Sequence, residues 1–241
     1  MCYMAISMKN VSKSFQKQSV ISDLHLEVED GVIFGLIGPS GGGKTTIIKM
    51  MIGMITADTG TITVLHKKVP NKPLLFDIGY MAQADALYTD LTGLENLRFF
   101  GSMYNMHKNK LQERVEYASK LVDLTDALHK RVANYSGGMR RRLSLAIALV
   151  QDPPLIILDE PTVGIDPALK KQIWQELVVL KNAGKTILVT THAMDEAEKC
   201  DELAMLRSGK IIATGTPTEL KERFHTNSLD DVFLQAGGVN T

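Results

Sequence analysis

Gly38-Pro39-Ser40-Gly41-Gly42-Gly43-Lys44-Thr45 fits G-x-x-x-x-G-K-[ST], the phosphate-binding loop known as Walker A. Just ahead of it lies Val32-Ile33-Phe34-Gly35-Leu36-Ile37, apolar and long enough for one buried strand. Behind it, Thr46 to Met54 reads as a helix, with Ile47, Ile48, Met51 and Ile55 recurring at helical spacing. Strand, glycine loop and helix is the setting the motif requires. Gly41, Gly42 and Gly43 lack a Cβ, so backbone N–H groups can close around phosphate oxygens. The positive end of the helix dipole adds to the attraction. Lys44 is placed to reach the β- and γ-phosphates, and the Thr45 hydroxyl to ligate Mg²⁺. This stretch predicts a nucleotide phosphate site.

Working outward, Met4, Ile6 and Met8 alternate with Ala5, Ser7 and Lys9 as in a half-buried strand, and a second alternating run covers Val20 to Val28. Asp30-Gly31 reads as a hairpin-type turn into the Walker A strand. Phe15, between the two runs, fits either an aromatic stacked on a nucleobase or one filling the gap between strands. Thr61 to Leu65 is β-branched and strand-like, and Asp77 to Gln83 resembles a strand ending at a polar residue. From Leu91 to Val150 the texture turns helical, with Leu111, Val115, Ala118 and Val122 on one stripe. Residues 84–150 are therefore expected to be an inserted helical lobe, with 1–83 and 151–223 forming the core and 224–241 a short tail. Leu155 to Leu158 is continuously apolar, as in strands buried on both faces of a parallel sheet. Asp166-Pro167 is an N-cap and N1 pair, and Gly184 ends the helix they begin. Thr186 to Thr190 is a further strand, two short strands flank Ser208-Gly209, and a helix starts at Pro217.

Bulk properties narrow the function classes. The chain has 241 residues, with Lys+Arg and Asp+Glu both at 27, so its charge gives no reason to expect nucleic acid. Cys2 and Cys200 suggest free thiols in a reducing cytosol rather than a disulfide framework or metal site. No apolar run approaches the roughly 18 residues that span a bilayer, and no signal peptide is apparent. Any work at a membrane is expected to go through a partner.

Two more stretches carry chemistry. Leu155-Ile156-Ile157-Leu158-Asp159-Glu160 is an apolar strand ending in two carboxylates. Asp159 can hold Mg²⁺ through water, and Glu160 can polarise a water for in-line attack on a γ-phosphate. Ser136-Gly137-Gly138 opens the helical run Met139 to Val150. Taken alone that triplet is an ordinary N-cap with a glycine turn, or a second anion site. A second phosphate-binding device makes sense if two subunits each close the other's pocket.

Walker A, Tyr135-Ser136-Gly137-Gly138-Met139 and Leu158-Asp159-Glu160, in this order, give the chain a strong resemblance to the ATP-binding subunit of ABC transporters. The resemblance covers almost the whole length. Gln83 matches the Q-loop glutamine, Gly164-Ile165-Asp166-Pro167 the D-loop and His192 the switch histidine, while Phe15 lies where the family stacks adenine. Tyr135 and Met139 depart from the commonest signature, but its Ser-Gly-Gly core is intact. The resemblance implies an α/β P-loop NTPase core with an N-terminal antiparallel β portion and an inserted α-helical subdomain. It implies ATP hydrolysis in a head-to-tail dimer with Mg²⁺. Phe15 would stack the adenine and Gly38, Pro39, Ser40, Gly41, Gly42, Gly43, Lys44, Thr45 and Thr46 would hold the phosphates. Thr45, Gln83 and Asp159 would serve the metal. Ser136, Gly137, Gly138 and Asp166 would act across the dimer, with Glu160 as base and His192 steadying the γ-phosphate. Lys44 and Gln83 would assist catalysis.

Leu91-Thr92-Gly93-Leu94-Glu95-Asn96-Leu97, Phe99-Phe100, the arginine run Arg140-Arg141-Arg142 and the tail Leu229 to Leu234 are similar to the subgroup exporting drugs, antibiotics, lipids or ions. The arginine run equally fits a solvated helix face. The expected partners are an integral membrane permease on a separate chain and a second ATPase subunit, at the cytoplasmic face of a membrane. An importer subunit, or a soluble ATPase of the same family acting on ribosomes or DNA, is the rival expectation.

Overall fold

The computed structural model describes residues 3–104 and 106–238. In chain order its elements are β1 (Met4–Phe15), β2 (Gln18–Glu29), β3 (Ile33–Ile37), α1 (Lys44–Met51), β4 (Thr59–Val64), β5 (Lys67–Lys68) and β6 (Ile78–Met81). Three helices follow, α2 (Gly93–Ser102), α3 (Lys108–Leu121) and α4 (Gly137–Val150). Then come β7 (Leu155–Asp159), α5 (Pro167–Asn182), β8 (Thr186–Thr191), α6 (Met194–Ala197), β9 (Glu202–Arg207), β10 (Lys210–Gly215), α7 (Pro217–Arg223) and α8 (Leu229–Ala236).

These strands form two sheets. One has four antiparallel strands in the order β2-β1-β4-β5; the other has six in the order β10-β9-β3-β8-β7-β6. In the larger sheet every pairing is parallel except that of β9 with the edge strand β10. The fold is thus the α/β P-loop architecture with an antiparallel N-terminal portion. The pleat explains how one sheet serves two cores. Ile33 and Ile37 of β3, with Ile156 and Leu158 of β7, face helices α3, α4 and α5. Phe34 and Leu36, with Leu155 and Ile157, face α1 and the small sheet. Buried on both faces, β3, β7 and β8 are apolar through their middles, and only the ends of β7 and β8 carry polar residues, Asp159 and Thr186, Thr190 and Thr191.

Two local readings need correction. Asp30-Gly31 is a turn, but it joins β2 of the small sheet to β3 of the large one, so it closes no hairpin. A turn signal fixes where the chain bends, not which sheet it enters next. The Walker A helix spans Lys44–Met51, starting earlier and ending earlier than its apolar spacing suggests, because Ile52 closes it ahead of a left-handed Gly53. Beyond Arg223 the chain carries helix α8, with Leu229 and Val232 buried against the main core. Cys200 is buried, whereas Cys2 lies outside the described residues.

Candidate functional site

Parallel strands β3, β7 and β8 end side by side, so their C-terminal loops share one edge of the sheet. Ligands of open α/β sheets collect at such an edge. β3 runs into the glycine loop, in which Gly41 and Gly43 hold φ of 77° and 109°. A Cβ on Gly43 would also lie 2.6 Å from Ile21 Cδ1, and one on Gly38 would lie 2.5 Å from the Leu206 carbonyl oxygen. The loop therefore needs glycine for backbone conformation at Gly41 and Gly43 and for close packing at Gly38. Gly43 caps α1 with no side-chain hydrogen bond, which leaves the first-turn N–H groups to whatever binds there. Ser40, Gly41, Gly43, Lys44, Thr45 and Thr46 line the resulting cleft together with Gln83 and Glu160.

Lys44 is 5% exposed and donates to the carbonyls of Gly38 at 2.7 Å and Pro39 at 3.2 Å. Its Nζ also lies 3.5 Å from Glu160 Oε1. A buried pair of this kind balances two charges that would each be costly alone. Glu160 Oε1 is 3.4 Å from His192 Nδ1, whose side chain is half exposed. Thr45 Oγ1 donates to Asp159 Oδ2 at 2.9 Å, and Thr190 Oγ1 donates to Asp159 Oδ1 at 2.5 Å. Asp159 is 1% exposed and, among the described residues, forms no ion pair. A buried carboxylate held only by hydroxyls, next to Thr45, is a donor set that fits a hard dication such as Mg²⁺.

Glu160 adopts φ 53°, a left-handed backbone that costs a residue with a Cβ about 1–2 kcal/mol. The surroundings hold it there from both sides. Its N–H donates to Thr190 Oγ1 at 3.0 Å and to the Thr190 carbonyl at 3.2 Å. Its carbonyl accepts from Arg141 Nη2 at 2.7 Å. Thr190 did not stand out in the sequence, and Arg141 did so only as one member of the run Arg140-Arg141-Arg142. Thr190 looked like one more β-branched strand residue, and the solvated-face reading fails at Arg141, which is 8% exposed. Burial lowers the pKa of its guanidinium, an effect the nearby carboxylates of Asp85, Asp159 and Glu160 oppose.

Other expected site residues stand apart from this cleft. Ser136 is exposed at the start of α4, where its Oγ accepts from Met139 N at 3.2 Å. A Cβ on Gly138 would come within 3.3 Å of the Gly164 carbonyl oxygen, which sets the signature turn beside the D-loop. Asp166 caps α5, accepting from Leu169 N at 3.0 Å. Among the described residues neither Ser136 nor Asp166 shares a hydrogen bond with residues 38–46. Phe15 is 44% exposed at the end of β1, which removes the reading of it as a filler between strands.

Comparison with known proteins now decides the family. Residues 21–163 match the family described as ABC transporter. The chain belongs to this family. The cassette is 44% identical over 222 residues to a Nod factor export ATP-binding protein I of Neorhizobium galegae, covering 91% of the cassette and 64% of that protein. It is 40% identical over 238 residues to ABC transporter G family member 20 of Dictyostelium discoideum, covering 96% of the cassette and 32% of that protein. It thus spans less than two thirds of either relative. A solved ATP-binding subunit of an ABC transporter superposes with a TM-score of 0.90 at 28% identity, covering 97% of the cassette and 99% of that chain. A bacterial ABC transporter cassette solved as a dimer gives 0.82 at 25% identity over 88% of the cassette and 98% of that chain.

Proposed function

We propose that this cassette is the ATP-binding and ATP-hydrolysing subunit of an exporter, paired head-to-tail with a second cassette and coupled to an integral membrane permease on a separate chain. One observation carries the reading. Lys44, Thr45, Gln83 and Glu160 line one cleft with the glycine loop, while Ser136 is exposed and lies outside that lining. An exposed helix start with a hydroxyl and two glycine amides is an anion site in search of an anion, and a second copy would bring one. The export direction is supported by the name of the Nod factor export ATP-binding protein above.

In this reading the glycine loop and Lys44 hold the β- and γ-phosphates, Phe15 stacks the adenine, and Thr45, Asp159 and Gln83 hold Mg²⁺. The metal supplies charge neutralisation on the transferring phosphoryl group. Glu160 takes the proton of the attacking water, and its contact with Lys44 gives way as phosphate draws the lysine. His192, within reach of the same carboxylate, orients the water and γ-phosphate. Ser136 and the amides of Gly137 and Gly138 cap the γ-phosphate of the opposite cassette, and Asp166 lines the same interface. An apolar groove beside Gln83, lined by Met54, Leu75, Phe100 and Tyr104, is where the permease would dock. This would hold the cassette at the cytoplasmic face of the membrane.

The test is Glu160→Gln. It should keep ATP affinity, lose turnover by about 100-fold or more, and double its mass on size exclusion in ATP. A variant that binds ATP but stays monomeric at every concentration would sink the composite site, and normal turnover would remove Glu160 as base. Copurification of the full chain should recover a polytopic membrane protein; recovery of ribosomes or DNA instead would sink the transport role.

A further inference from the structure

Arg141 makes an unusual set of bonds for a buried cation. Nη1 donates to the carbonyls of Ala82 at 2.7 Å and Gln83 at 2.9 Å. Nη2 donates to the carbonyl of Asp159, and to that of Glu160 at 2.7 Å. The four acceptors lie on two segments remote in sequence, the loop bearing Gln83 and the end of β7. Its ion pair with Asp85 is long, at 3.9 Å, and Asp85 itself accepts from Ser144 Oγ of α4 at 2.9 Å. Nearly all the binding is therefore to backbone. A planar guanidinium can fork to both segments at once, whereas lysine offers three donors from one point and glutamine two.

The side chain thus joins three things: helix α4, which Ser136 caps; the Gln83 loop, whose side chains are largely exposed; and the left-handed peptide of Glu160. We infer that Arg141 is a positioning residue for hydrolysis, tying the Gln83 loop and the backbone of Glu160 to α4 so that they move as one body. A shift of the loop then changes where the Glu160 carboxylate points. Arg141 touches neither nucleotide nor water in this scheme; it acts through Glu160, and so rests on the reading of Glu160 as the base.

Arg114 supplies the control. It donates to the carbonyls of Leu149 at 2.7 Å and Val150 at 3.2 Å, clamping the opposite end of α4 far from the cleft. Loss of either arginine should lower the thermal midpoint, but only one should affect chemistry. The experiment is a double-mutant cycle on the full chain, reading kcat, the Kd for trinitrophenyl-ATP and the thermal midpoint. Arg141→Gln should leave Kd within about twofold and lower kcat about tenfold or more, with Arg141→Lys intermediate. In a Glu160→Gln background, Arg141→Gln should cost less than about twofold in the residual rate. Arg114→Gln should keep kcat within about twofold. Equal losses in both backgrounds, an unchanged kcat, or a matching loss from Arg114→Gln would overturn the inference while leaving Glu160 as base. Wild-type turnover by Glu160→Gln alone would overturn both. If Arg141→Gln binds no nucleotide, the same cycle is read with Arg141→Lys.

Discussion

Phe15 is a large apolar side chain left in water, with no place in either core. Lys13 Nζ lies 5.3 Å from its ring centroid, and Lys13 is itself held by Asp58 at 2.7 Å. Asp58 also accepts from Ser14 N at 2.7 Å, and these two bonds lower its pKa. The strand end is thus braced, while the ring stays accessible for stacking. A base stacked on an aromatic ring is worth about 1–3 kcal/mol. Phe15→Ala should therefore weaken ATP binding by roughly 5- to 150-fold, with Phe15→Tyr close to wild type, as measured by calorimetric titration. An unchanged affinity in Phe15→Ala would leave the ring without a role. Lys44→Ala acts at the other end of the nucleotide. It removes a cation whose buried neighbours are two carbonyls and a carboxylate, so binding itself should fall about tenfold or more. Titration with ADP and ATP would check it, and an unchanged affinity of Lys44→Ala for both nucleotides would refute the phosphate contact.

The start of α4 does two jobs that a simple alanine variant would confuse. Ser136 caps the helix, and Ser136→Ala should cost about 1 kcal/mol of stability whether or not the hydroxyl meets a phosphate. Aspartate caps as well as serine and favours the positive helix end. Ser136→Asp should therefore hold or raise the thermal midpoint, yet abolish turnover by placing a negative charge against the partner's γ-phosphate. A Ser136→Asp variant with full ATPase activity would confine the residue to its cap. The same helix shows what was legible in the sequence. Its N-cap, its bounds and the flanking motifs are local, and the strand–loop–helix around Lys44 carries its own glycine pattern. Arg141 was not legible, because the next residue, Arg142, looks identical in sequence yet donates to Val122 and Asp123 carbonyls nearer the surface. Which of two arginines turns inward depends on the carbonyls of Gln83 and Glu160, which only the folded sheet brings within reach. The turn at Asp30-Gly31 misled for a similar reason, since sheet membership is set by distant pairing of β3 with β8 and β9.

At the scale of the molecule the question is whether one chain or two make a working site. The edge of the six-stranded sheet supplies the phosphate loop, Asp159, Glu160 and His192, all interconnected. The Ser136 turn is fixed on α4, which Arg141 and Arg114 tie to the body at both ends. Bringing it onto its own cleft would break those bonds, whereas a second copy can present it without rearrangement. Complementation separates the two cases. Glu160→Gln has an intact Ser136 but no base, and Ser136→Asp has an intact base but a repelling cap. Neither should turn over ATP alone. Mixed in equal amounts, they form heterodimers in which the Ser136→Asp cleft is closed by the Ser136 of the other variant, giving one complete site. With random pairing, roughly a quarter of wild-type sites would be restored, and a coupled ATPase assay of the mixture would show it. A site complete within one chain would gain nothing from mixing, so a rate equal to the mean of the two separate variants would refute the shared pocket and the head-to-tail pairing with it.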